Sequence, residues 1–361
     1  MWHKRMLVSA ALLVIPAGAL AQDANNTKAP NLQSDQQAYC EYVTQQAAAQ
    51  RDLLRTPSAV AGVTQPNTGL PMQLVWGLSS SLSDIRKAGL TMDVARQNCQ
   101  LYTATTAAQQ NIQYALPTLE KEALQHRLDL IQEASAKLDG LMTSASKMVA
   151  AQDLTRPMLF SLQTTKIKLD ADQADTQSKI AALYTPDLTD QPLKQLVAEK
   201  QTDEATEQDA IAKLNRQNNW DVSLSIGAHQ QINPLVDNSG AYGAVTVSYN
   251  LSSHAINKHL DQAADAYAAW KKVQEGDVAR NAEVLKKQVT DGIAVQTNKL
   301  KSLQDQQKLV DGNLQLVAAA DTSAALDFRN QLVSAQLLLG IEVGDASFRL
   351  DELQEFLSSN Y

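Results

Sequence analysis

The 361-residue sequence predicts a mainly α fold in which long antiparallel coiled-coil helices are interrupted by two β-hairpins, the pattern being laid out twice along the chain. Three observations carry this. Only 14 glycines and 4 phenylalanines occur, against abundant Ala, Gln, Leu and Lys, a composition suited to long helices. No proline follows Pro234, so apolar residues at helical spacing can run there without the lost hydrogen bond and the clash that proline brings. At "WDVSLSIGAH", residues 220–229, the spacing switches to strict alternation, and it does so again at "AVTVSYNLS", residues 244–252. A period of two describes a strand with one oily and one wet face.

Taken in order, residues 1–21 read as a cleaved signal peptide: a short basic start, an apolar run from Leu7 to Leu20, and a small-x-small site at Ala19, Leu20 and Ala21. The run is too short for a spanning helix, and no later segment approaches about 20 apolar residues. No cysteine follows the expected cleavage site, so no lipid anchor is expected there. Removing Lys4 and Arg5 leaves 29 basic against 39 acidic residues, a net charge near −10, which argues against nucleic acid as a partner. Residues 22–33 read as a flexible N-terminal segment.

The first helix is expected from about Ser34 to Arg55, and the second from about Ser83 to Ala150 with Pro117 as its only kink. In the second, Leu124, Leu128, Ile131, Ser135, Leu138, Met142 and Ala145 alternate four and three apart, a coiled-coil seam. Between these helices, "PNTG" supplies a turn, and Leu70, Met72, Leu74, Trp76 and Leu78 share one parity. Further helices are expected through Leu183 and over 194–217, separated by "YTPDLTDQP". After the 220–252 hairpin, one long helix is expected from about His254 to Leu309, with Ile256, Leu260, Ala263, Tyr267 and Trp270 as its seam. A turn near 311–321 then precedes a last helix to about Ser358.

Three short matches agree on a period near 170 residues. "LSS" at 78–80 pairs with "LSS" at 251–253, "VAAQD" at 149–153 with "VAAAD" at 317–321, and "DTQSKIAAL" at 175–183 with "DASFRLDEL" at 345–353. The chain therefore divides into a first helix-hairpin-helix repeat, 34–190, and a second, 191–361.

An isolated hairpin with one apolar face is not stable in water, and its open edges need partners. Strands pooled between several chains into one β-barrel would satisfy every edge, as a bilayer requires. Lipid would then face Leu74, Trp76, Trp220, Val222, Leu224, Ile226, Val245, Val247 and Tyr249, while water would face Asp221, Ser223 and Ser225. The alternative is a soluble periplasmic coiled-coil scaffold or adaptor whose hairpins lie on protein.

The order of elements and the duplication, over about 35 to 357, resemble the TolC-like outer-membrane efflux proteins. "LDFRNQLVSAQLLL" at 326–339 is similar to that family's segment after its helical turn, and "VTVSYNLSS" to its second strand running into a long helix. The sequence differs in carrying Ala151 and Ala319 where the family has turn glycines. The resemblance implies a homotrimer in outer-membrane lipid, one barrel continued by a helical tunnel, and export driven through a periplasmic adaptor and an inner-membrane pump.

Cys40 and Cys99 have their midpoint beside Gly69 in the expected turn, which places them at one height on antiparallel limbs and predicts a disulfide. Asp153 and Asp321 fall at equivalent places in the two helical turns, with Asp311 near the second; they are expected to cap helices and to line the periplasmic entrance. His254 and His259, five apart, make a poor metal pair. No catalytic triad, phosphate loop or Cys-x-x-Cys is present, so neither enzyme activity nor a cofactor is expected.

Overall fold

The computed structural model describes residues 32–64, 72–151, 156–232, 239–274, 277–319 and 322–361. The signal peptide and the PNTG turn lie outside them. In chain order the elements are α1 (Leu32–Arg55), β1 (Ser58–Thr64), β2 (Gln73–Ser81), α2 (Leu82–Ala150), α3 (Arg156–Ala182), α4 (Leu193–Arg216), β3 (Trp220–Gln231), β4 (Ser239–Tyr249), α5 (Ser253–Val273), α6 (Val278–Val317) and α7 (Ser323–Asn360). The fold is mainly α; the first half runs helix, two strands, one long helix and a further helix, and in the second half the place of the long helix is taken by two, α5 and α6.

With 69 residues, α2 is roughly 100 Å long. It runs through Pro117 and is capped at its start by Ser81, whose hydroxyl accepts the Asp84 amide hydrogen at 3.1 Å. Its predicted seam is the packed one. Ile131, Leu138 and Ala145 are buried in one cluster with Leu162 and Leu169 of α3 and Ile341 of α7. Nearer the sheet, a second cluster joins Ala108 and Ala115 of α2 to Leu193 and Leu196 of α4 and to Val278, Leu285 and Val289 of α6.

Two helix boundaries correct the sequence expectation. The helix expected over His254–Leu309 breaks after Val273, where Gln274 and Asp277 both adopt extended backbone. Asp277 is a poor helix former, and its carboxylate is drawn sideways to Lys200 Nζ at 3.0 Å. Further on, α6 continues past Leu309 to Val317 because it lies along α7, with Gln336 Nε2 donating to Asp311 Oδ1 at 2.8 Å. The seam proposed along α5 is only partly packed within the chain: Leu260 and Tyr267 are half-buried, while Ile256, Ala263 and Trp270 are exposed.

Cys40 and Cys99 form the expected disulfide between α1 and α2, with Cα atoms 4.9 Å apart. Small buried residues on both helices, Ala47 on one and Ala88 and Ala95 on the other, permit axes closer than the usual 8–10 Å. Tyr39 stacks on Tyr102 at 3.9 Å beside the bridge. The Tyr102 hydroxyl donates to Asp35 Oδ2 at 2.7 Å, and that bond pushes its pKa up to about 12.

Candidate functional site

The two hairpins do not stand apart. All four strands form one antiparallel sheet in the order β1-β2-β3-β4, joined at β2–β3. The register sets Trp76 opposite Ala228, Leu78 opposite Ile226, Val222 opposite Val247, and Trp220 opposite Tyr249. Because side chains alternate along a strand, the nine residues predicted to face lipid all fall on one surface of this sheet. That surface is exposed in the single chain: Trp220 is 58% and Val245 69% accessible, while Val222 is half-buried. Among the described residues no helical layer covers it. The opposite surface carries Ser79, Ser81, Asp221, Ser223, Ser225 and Thr246 together with His229 and Tyr242. β1 and β4 are the edge strands, so their outer N–H and C=O groups need a partner.

The seam between the hairpins depends on two facing glycines, Gly77 and Gly227. The backbones approach so closely that no side chain fits between them, and the Tyr242 ring lies over Gly227 from the next strand. At the helical end of the sheet, Trp220 and Tyr249 pack with ring centroids 4.5 Å apart, and the Tyr249 and Ser253 hydroxyls bond to each other. Asp221 fastens the start of β3 to the strand-to-helix junction: its Oδ1 accepts from Ser81 Oγ at 2.6 Å and from Ser83 Oγ at 2.5 Å.

Two charge networks hold the helices. Arg127 of α2 reaches Asp172 of α3 at 2.8 Å, Glu342 of α7 at 2.7 Å and Asp345 of α7 at 3.5 Å. Arg349 bonds Asp345 at 3.0 Å and also pairs with Glu120 of α2, and Lys299 of α6 approaches Glu342 at 3.4 Å. Burial pushes the Glu342 carboxyl up, but Arg127 and Lys299 outweigh it and hold the group below its usual range. In the second network, Lys200 bonds Glu204 at 2.7 Å, and Lys271 and the Tyr267 hydroxyl bond the same carboxylate at 3.0 and 2.5 Å. Burial raises Glu204, yet these three donors bring it below its ordinary value. One turn along α4, Glu207 has no such compensation: burial and the Glu204 charge raise it, and Lys271 only partly offsets them.

Of the residues predicted for the periplasmic entrance, Asp311 is fixed by Gln336, and Asp153 and Asp321 lie outside the described residues. The sequence reading missed Gly77–Gly227 and both networks; the local signal that could have pointed to one of them is a same-helix pair, Asp345 and Arg349, four apart. Among the described residues no group of three or more His, Cys, Asp and Glu is placed to hold a metal, and no helix is long and apolar enough to cross a membrane.

No protein-family model and no curated protein matches the chain. Among solved structures, it is similar to a membrane protein from Pseudomonas aeruginosa, at 12% identity over 90% of this chain and 89% of that one, with a TM-score of 0.44. CusC, solved in a study of transmembrane channel formation, is 14% identical over 88% of each chain, with a TM-score of 0.44. The outer membrane protein VceC of Vibrio cholerae is 15% identical over 89% of this chain and 92% of that one, with a TM-score of 0.39.

Proposed function

We propose that the chain is one subunit of a trimeric outer-membrane channel, an exit duct that carries substrates from a periplasmic entrance to the outside. The observation that carries this reading is the sheet: four strands with a continuous exposed apolar face on one side, hydroxyls on the other, and open edges at β1 and β4. A 12-residue strand such as β3 extends about 36 Å, and tilted by about 40° it covers roughly 28 Å of height, enough for an outer-membrane hydrocarbon layer. Three copies would close a twelve-stranded barrel, wide enough to leave a bore where eight strands fill with side chains.

In this reading the helices continue the barrel into the periplasm as a tunnel built from two repeats per chain, 34–190 and 191–361. Asp311 would stand toward its far mouth, where an adaptor and an inner-membrane pump would engage it. A soluble scaffold would need a layer over the apolar face, and among the described residues that face is largely exposed.

Fractionation with a carbonate wash tests the membrane assignment. Retention in the outer membrane, conductance in planar bilayers, and trimer-sized species cross-linked between Ala61→Cys on β1 and a series of cysteines along β4 are the expected results. Release with the periplasmic fraction would overturn the proposal.

A further inference from the structure

We propose that Asp221 sets the ion selectivity of the passage, as a ring of three carboxylates where the barrel meets the helical tunnel. This inference rests on the channel reading, in which the hydroxyl-bearing face of the sheet lines the bore. On that face, among the described residues, Asp221 is the one carboxylate, and neither lysine nor arginine occurs. The wall near it is made of Ser81, Ser223, Ser225, Thr246 and Ser248. His229 and Tyr242, the other titratable groups of the face, lie higher along the strands.

Asp221 is also held in place. Ser81 at the end of β2 and Ser83 at the start of α2 both donate to Oδ1, which leaves Oδ2 without a hydrogen-bond partner among the described residues. The cation whose field reaches Asp221, Lys87, is itself bonded to Asp84 at 3.1 Å on its own helix. Ser81 and Ser83 act as positioning residues. A fixed negative ring in an otherwise uncharged wall raises the local concentration of cations and excludes anions.

The test is the reversal potential of the purified full chain in a planar bilayer under a potassium chloride gradient. The wild type should be cation-selective. Asp221→Asn, whose amide oxygen still accepts from both serines, should lower the cation-to-anion permeability ratio several-fold, and Asp221→Glu should keep it. A conducting wild type that prefers anions, or an Asp221→Asn channel with unchanged selectivity, overturns this inference and leaves the channel reading standing. Absence of any conductance from the wild type overturns both.

Discussion

Gly77 and Gly227 face each other across the seam of the two hairpins, and a Cβ placed on either would lie 2.2 Å from a backbone carbonyl oxygen of the opposite strand. Backbone cannot swing aside as a flexible side chain can. Gly227→Ala is therefore expected to part β2 from β3 and, on the channel reading, to reduce several-fold the oligomer recovered from the membrane on unheated gels. Gly243→Ala, with nothing within 4 Å of its added methyl, should assemble normally.

Neighbouring residues on β3 separate the two faces of the sheet. Leu224 lies on the exposed apolar surface opposite Val245, whereas the Ser225 hydroxyl bonds Ser79 Oγ at 3.1 Å on the other side. On the channel reading Leu224→Arg should block membrane assembly, since an arginine facing lipid near the midplane costs about 2–4 kcal/mol. Ser225→Arg should be tolerated. Equal loss of membrane-associated protein from both would contradict the assignment of faces.

The Cys40–Cys99 bridge closes a span of 59 residues that contains the first hairpin. Replacing both cysteines with alanine should cost about 4 kcal/mol in the chain-entropy picture. The loss should appear as a lower denaturant midpoint and as earlier proteolysis within α1. Tyr39 and Tyr102 still stack beside the site, so α1 should loosen rather than detach.

Arg127 supplies a shared cation to three carboxylates on two other helices, and one of them, Asp345, has a side chain only 4% exposed. Arg127→Ala leaves that buried charge with less compensation. A loss of about 2–4 kcal/mol is expected, measured by thermal or denaturant unfolding. Asp172→Asn, which removes a half-exposed partner, should cost less.

Glu207 gives a signed pH dependence. Its folded pKa is raised, by burial first and then by Glu204, so the ionised form costs stability above that raised pKa, and the penalty vanishes below the ordinary glutamate range. Glu207→Gln should raise Tm at neutral pH and leave it unchanged in acid. Glu342 has the opposite sign: its pKa is lowered in spite of burial, so its contribution is present above the ordinary glutamate range and is lost as pH falls through the lowered value. Glu342→Gln should therefore lower Tm at neutral pH, with the difference closing in strong acid.

Local pattern alone determined much of this protein. The limits of α1, α2 and α4, the two hairpins, the Cys40–Cys99 pair and the α2 seam are all legible in sequence, because helix and strand periods and proline positions act over a few residues. The alternation at 220–229 likewise fixed which side chains share a face. Tertiary structure decided the rest. That β2 pairs with β3, merging two hairpins into one sheet, depends on a close approach between glycines 150 positions apart, which no local pattern records. At the break between α5 and α6, Asp277 is held by Lys200, 77 residues away in sequence. The Arg127 network joins helices far apart in sequence, and its charges read singly as ordinary surface groups until packing brings them out of water together.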